Sequence, residues 1–156
     1  MSKKPVAAFQ HLTSLAKDLN EISDQLTKEL SEVEESLNHL RLGVPVWVVA
    51  ASYEVEGASP GEHLTQVETL GYARHKGKWG LVVGSYIDEI EDYPESLMFV
   101  KDASRETRIN ALAAIPKLVE ALASEAKRVT EDLRTKLDAA RTIKAGLRAK
   151  VFTPEK

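Results

Sequence analysis

The feature that most constrains this chain is the spacing of apolar residues in its last third, Ser104 to Lys150. Leu112, Ile115, Val119, Leu122, Ala126, Val129 and Leu133 recur at steps of 3, 4, 3, 4, 3 and 4, the seam of a heptad-patterned helix. Such a helix cannot bury its stripe alone and needs another helix, from its own chain or from a copy. Beyond Leu133 the seam continues through Leu137, Ala140, Lys144 and Leu147 to Val151, weaker and more polar. Pro116 falls inside it. A proline ring there meets the carbonyl of Leu112, so the helix over 104–150 either kinks or restarts with Pro116 in a first turn. Asp102 or Ser104 supplies the cap at its start.

A second helical pattern runs from about Ala8 to Leu42. Leu12, Leu15, Leu19, Ile22, Leu26, Leu30, Val33, Leu37 and Leu40 step by 3, 4, 3, 4, 4, 3, 4 and 3. The two successive fours around Leu26 act as a stutter, which locally unwinds a left-handed supercoil. Gly43 is a natural residue to follow the helix and Pro45 stops it. An amphipathic helix lying on its own sheet accounts for the same stripe as a coiled-coil arm does.

Between the helices the pattern is that of strands. Residues 44–55, VPVWVVAASYEV, are β-branched and aromatic, and Gly57 to Gly61 form a loop by composition. A strand over His63–His75, a two-residue turn at Lys76-Gly77 and a strand over Lys78–Ile87 place Arg74 opposite Trp79, Tyr72 opposite Leu81 and Leu70 opposite Val83. That register gives one bulky apolar face with Arg74 over Trp79 as a cation–π pair. The other face, with Gly71, Ala73, Gly80 and Gly84, is small enough to admit a helix closely, so both faces of the sheet are expected to be covered. Asp88 to Ser96 reads as an acidic loop and Leu97 to Val100 as a fourth, edge strand. The whole is one α+β domain over 1–156: a three- to four-stranded antiparallel meander over 44–101 between two long amphipathic, coiled-coil-like helices, 8–42 and 104–150. Apolar seam left after the two helices pair within the chain predicts a homodimer.

Charge is uneven. The net of −3 argues against wholesale nucleic-acid binding, yet residues 133–150 hold Arg134, Lys136, Arg141, Lys144, Arg148 and Lys150 against Asp138 alone. Lys127, Arg134, Arg141 and Arg148 are seven apart and share one flank of the helix. With the long helices antiparallel, residue 10 lies near residue 136 and about the last 15 helical residues overhang, basic and without an internal partner. The sites read from this pattern are the distal stripe, Arg134, Arg141, Lys144 and Arg148, and the hairpin tip, Arg74, Lys76, Lys78 and Trp79. They suit a protein surface or a phosphate backbone with a base stacked on the tryptophan. A solvated helix flank and a soluble turn explain the same residues.

Little else carries chemistry. The chain has no cysteine, which excludes thiolate chemistry and fits a reducing, cytoplasmic setting. The basic Met1–Pro5 segment is followed by no signal-like apolar run, and no stretch reaches the ~18–20 apolar residues of a membrane span. His11, His39, His63 and His75 lack metal-ligand spacing, and Asp88, Glu89, Glu91 and Asp92 lack the ligand-and-glycine alternation of an EF-hand. No cofactor or metal is expected. Glu54 and Glu56 share a face at a strand end with His63 near, an acid/base arrangement without a nucleophile. Gly77 to Gly80 sits in a hairpin, so it is no phosphate loop. The sequence therefore points to a non-enzymatic assembly or regulatory module acting through helix-mediated protein contacts. The alternative is a nucleic-acid-associated accessory protein.

Overall fold

A computed structural model describes residues 3–90 and 95–152. The order is α1 (Lys4–Leu40), β1 (Val46–Glu56), β2 (His63–His75), β3 (Lys78–Ile87), β4 (Glu95–Phe99), a 3₁₀ turn (Val100–Asp102) and α2 (Arg105–Phe152). The four strands form an antiparallel sheet in the order β1-β2-β3-β4. The α+β architecture and the meander expected from the sequence are present.

The central hairpin has the register read from its residues: Arg74 faces Trp79, Tyr72 faces Leu81 and Leu70 faces Val83. Lys76 and Gly77 both take positive φ, 48° and 79°, the two left-handed central residues of a type I′ turn. This turn matches the right-handed twist of its strands, and it fixes the whole register. On the β1 side the pairing slips by one residue between Val49 and Ala51. That bulge lets Ala51 and Tyr53 share the face of Glu68.

Both helices pack on the bulky face. Leu30 and Leu37 of α1 and Ala111, Ala114, Leu118 and Leu122 of α2 form one buried cluster with Leu70, Tyr72, Leu81 and Val83. The expectation of a helix on each face is therefore corrected. The small face carries two of the sheet's own rings. A Cβ on Gly71 would lie 2.4 Å from the Trp47 ring, and one on Gly80 would lie 2.7 Å from Glu34 Oε2, reaching over from α1, and 3.2 Å from the Phe99 ring. On this face Ala73 and Val82 are both buried. Trp79 is also placed differently. It stacks on Tyr72, with centroids 5.4 Å apart and planes at 27°, beneath the end of α1, while Arg74 is exposed. The cation that lies over a ring is Lys101, 5.4 Å from the centroid of Phe99.

The helix ends follow local chemistry. Pro5 lies in the first turn of α1, where its missing N–H costs nothing, so the helix starts four residues before the expected Ala8. It ends at Arg41, whose φ of 51° takes the left-handed position expected of Gly43 and whose N–H donates to the Asn38 carbonyl. Ser104 caps α2: its Oγ accepts from the Thr107 N–H at 3.3 Å. α2 then runs as one helix through Pro116, with no restart.

The two helices run in the same sense. Along α1, Glu34 reaches Leu81 and Asn38 reaches Tyr72, toward the β2–β3 turn. Along α2, Asn110 reaches Tyr53 and Lys117 reaches Val49, again toward that turn. Arg105 meets Asn20 and Ser23, and Arg108 meets Ser23 and Thr27. The antiparallel arrangement, with residue 10 near residue 136, is corrected accordingly. Sheet entry decides the sense: each helix enters at the end of the sheet where β1 finishes.

Candidate functional site

Because the helices run the same way but start about 80 residues apart in alignment, each overhangs the body at a different end. Residues 4–22 of α1 are all exposed and project past the end where β1 finishes and β2 begins. Residues 130–150 of α2 are all exposed and project past the β2–β3 turn. At ~1.5 Å per residue the α1 arm is about 28 Å long and the α2 arm, to residue 152, about 34 Å.

Neither arm has the composition of a solvated helix. Val6, Phe9, Leu12, Leu15, Leu19 and Ile22 are 50–69% exposed, and Leu133, Leu137, Ile143 and Leu147 are 49–64% exposed. The stripe predicted for α2 divides along its length. Leu122 is buried and Ile115 and Val129 are packed against the core, whereas Leu112 and Val119 stay open at 38% and 46%. The residues that dock in their place are Ala111, Ala114 and Leu118, one step round the helix. Alanines let α2 lie close to β1, so the sheet takes the alanine side and leaves the larger residues outward. Between the helices, Ile22, Leu26, Ile109 and Leu112 line an open groove of about 630 Å³. The side chain of Val151, the last seam residue, lies outside the described residues.

The basic residues sort by this geometry. Arg134, Arg141, Lys144 and Arg148 all lie on the α2 arm, exposed. Arg141 stands 4.0 Å from Asp138, while Arg134, Lys144 and Arg148 have no ion-pair partner among the described residues. Arg74, Lys76, Lys78 and Trp79 lie at the β2–β3 turn. The α2 arm leaves the body at that same end, so the two basic groups read separately from the sequence belong to one end of the molecule. Trp79 is half-buried against Tyr72 and lines a shallow site of about 520 Å³ with Asn38, Arg41, Gly43 and Lys78.

A polar network missed in the sequence sits under the start of α2. The Glu68 carboxylate accepts from Thr107 Oγ1 at 2.6 Å, Tyr53 Oη at 2.9 Å and Asn110 Nδ2 at 3.2 Å. Burial, then the hydrogen bond to Glu68, pushes the Tyr53 phenol above its ordinary value. Three donors from two elements satisfy one carboxylate, which makes this a joint between β2 and α2. A similar joint lies across the sheet. The Glu34 carboxylate accepts the Leu81 N–H at 2.8 Å, an N–H on the open side of β3 that β4 is too short to reach. Sequence spacing could not reveal either joint, since the partners are 15 to 47 residues apart.

The other candidates come apart. Glu54, Glu56 and His63 stand exposed at the strand end, with Glu56 opposite His63, splayed into solvent instead of into a cavity. Glu89 is held by the Thr65 N–H, 2.9 and 3.1 Å from its two oxygens, which holds its carboxyl below the usual range. It closes the end where β2 begins and β3 finishes, while Glu91 and Asp92 lie outside the described residues. Among those residues no group of three His, Asp or Glu is placed to hold a metal ion, and no helix is long and apolar enough to cross a membrane. Comparison with known proteins brings no relative: no family model, curated protein or solved structure matches the chain.

Proposed function

We propose that this protein is a non-enzymatic assembly or regulatory module, whose working surface is the pair of exposed helical arms. The observation that carries this reading is the arms' apolar exposure. Ten large apolar side chains on these two segments stay open to solvent in the single chain. Helices in proteins draw most of their stability from packing an apolar face, so arms whose apolar stripes stay open suit a partner that covers them. Coiled-coil pairing and a homodimer are the forms that suit the 3-and-4 spacing, and the lack of cysteine suits a reducing, cytoplasmic setting. Light scattering at micromolar concentration tests it: a mass of at least two chains is expected. A single-chain mass with no co-purifying protein would overturn it.

A second reading, attachment to nucleic acid, is favoured by one observation, the shared location of the α2 arm and the Arg74–Trp79 turn at one end. It requires binding at low salt that weakens steeply as salt rises and is lost in the Arg141→Glu, Arg148→Glu double variant. Binding unchanged in that variant, or no binding at low salt, removes it.

A further inference from the structure

We propose that the partner of the arms is a second copy of this chain, joined so that the α1 arm of each copy lies antiparallel along the α2 arm of the other. This rests on the assembly reading above and makes it specific. The arms leave opposite ends of the body, so one chain cannot pair its own. A two-fold axis perpendicular to the common helix direction reverses the second copy. Its α2 arm then runs down beside the first copy's ascending α1 arm, and the same operation forms the second pair at the far end. Both arms of both copies are covered, the assembly closes at two, and the bodies lie side by side. The arm lengths, about 28 and 34 Å, allow it.

One register satisfies the whole length. Residues whose numbers sum to 155 face each other: Ile22 with Leu133, Leu15 with Ala140, and Leu12 with Ile143. Read outward from the body, the α1 positions 26, 22, 19, 15, 12 and 8 and the α2 positions 129, 133, 136, 140, 143 and 147 both step by 4, 3, 4, 3 and 4. In an antiparallel pair this sets every a position of one helix against a d position of the other. Leu26 and Val129, both packed at the edge of the core, carry the seam into the body. Lys136 falls opposite Leu19, and its stem can cover the leucine with its ammonium outside.

Three large apolar residues fall off this register; the flanks take up Phe9 and Leu137, the latter on the seam first read from the sequence, and Val6 stays outside it. On one side Phe9 comes beside Lys144 and Ala16 beside Leu137; on the other Asp18 comes beside Ala139 and Gln25 beside Asp132. Thus Phe9 and Leu137, 69% and 49% exposed in the single chain, gain neighbours, and no like charges meet across these flanks.

Charge decides between this and the self-pairings. Residues 4–22 carry Lys4, Lys17, Asp18 and Glu21 and are neutral, whereas residues 130–150 carry six basic residues against three acidic ones. Two α2 arms together would set like charge on like, and two α1 arms together would leave the α2 arms bare. Reciprocal pairing alone covers the seams of both arms without that repulsion. Nine large apolar side chains from each copy, with the alanines between them, approach the ~20–30 residues a side of a standard interface.

The native chain has no cysteine, so disulfide trapping tests this directly. Leu15→Cys and Ala140→Cys are made in separate chains, one enlarged by a tag, then mixed, allowed to exchange and oxidised. Ala16→Cys with Leu137→Cys serves as a second pair on the flank. We expect tagged-to-untagged products joining 15 to 140 and 16 to 137, at least tenfold above 15–15 or 140–140 products. With Leu15→Cys and Ala140→Cys in one chain, oxidation should stop at two chains. Homotypic products, a ladder of longer polymers, a disulfide within one chain, or no disulfide in a two-chain species would each overturn this pairing while leaving assembly intact. A single-chain mass by light scattering would overturn both.

Discussion

Single residues act in this fold mainly by making a polar group safe to bury. Tyr53 and Tyr72 each bring a phenol under the helices, one onto Glu68 and Asn110, the other onto Asn38 Oδ1 at 2.6 Å. Both phenols are pushed above the ordinary 10.0, first by burial and then by a carboxylate, Glu68 for Tyr53 and Glu34 for Tyr72. The sign of the linkage follows. Below pH 10 both states keep the proton and the contribution to stability is whole; as pH rises through the raised folded values, the unfolded chain ionises first and stability falls. Alkaline titration followed by phenolate absorbance should therefore show a late-titrating fraction, and Tyr53→Phe and Tyr72→Phe should each reduce it. Folded stability should begin to decline above about pH 10 in the native protein and decline less in the double phenylalanine variant. A titration in which neither substitution alters the late fraction would contradict this account.

At the scale of elements, Pro116 is the residue whose cost is most visible. It lies exposed within a continuous α2, where it donates nothing to the Leu112 carbonyl and crowds it. An interior proline costs about 3 kcal/mol relative to alanine. Pro116→Ala should then stabilise the protein by about 1–3 kcal/mol in chemical denaturation, with the packing of Ile115 and Leu118 unchanged; destabilisation would mean that the sheet needs the proline's bend. The elements also divide by how legible they were. The β2–β3 register could be read because a two-residue turn and strict alternation admit one solution, and Lys76 with Gly77 supplies it. The sense of the helices could not, because it depends on which end of the sheet each enters. That is set by Arg41 turning the chain into β1 and by the 3₁₀ turn after β4, features with no periodic signature. The α2 seam was legible as a period but not as a contact. Alanines one step round the helix sit closer to the sheet than leucine can, so Ala111 and Ala114 were taken and Leu112 and Val119 were left.

For the whole molecule, the exposed arms comprise about half of all its helix. The body has a buried core reaching from Leu30 to Leu122 through the sheet, and nothing in the arms contributes to it. The two parts should therefore separate energetically. Burying a leucine or isoleucine side chain contributes about 1.5–3 kcal/mol, so removing one layer from each arm weakens association far more than it weakens the body. On dilution below the dissociation constant, the arms lose their partner and a helix of that length frays, while the sheet and the inner halves of both helices persist. Far-ultraviolet circular dichroism should lose up to about half of its helical signal on dilution, in step with the loss of dimer by light scattering. Leu15→Glu should produce the same reduced signal at micromolar concentration. Amide exchange should locate the change, with 4–22 and 130–152 unprotected and β2 and β3 still protected. Full helicity in a protein shown to be monomeric would mean that the arms hold their fold unaided, and the energetic case for a partner would then fail with it.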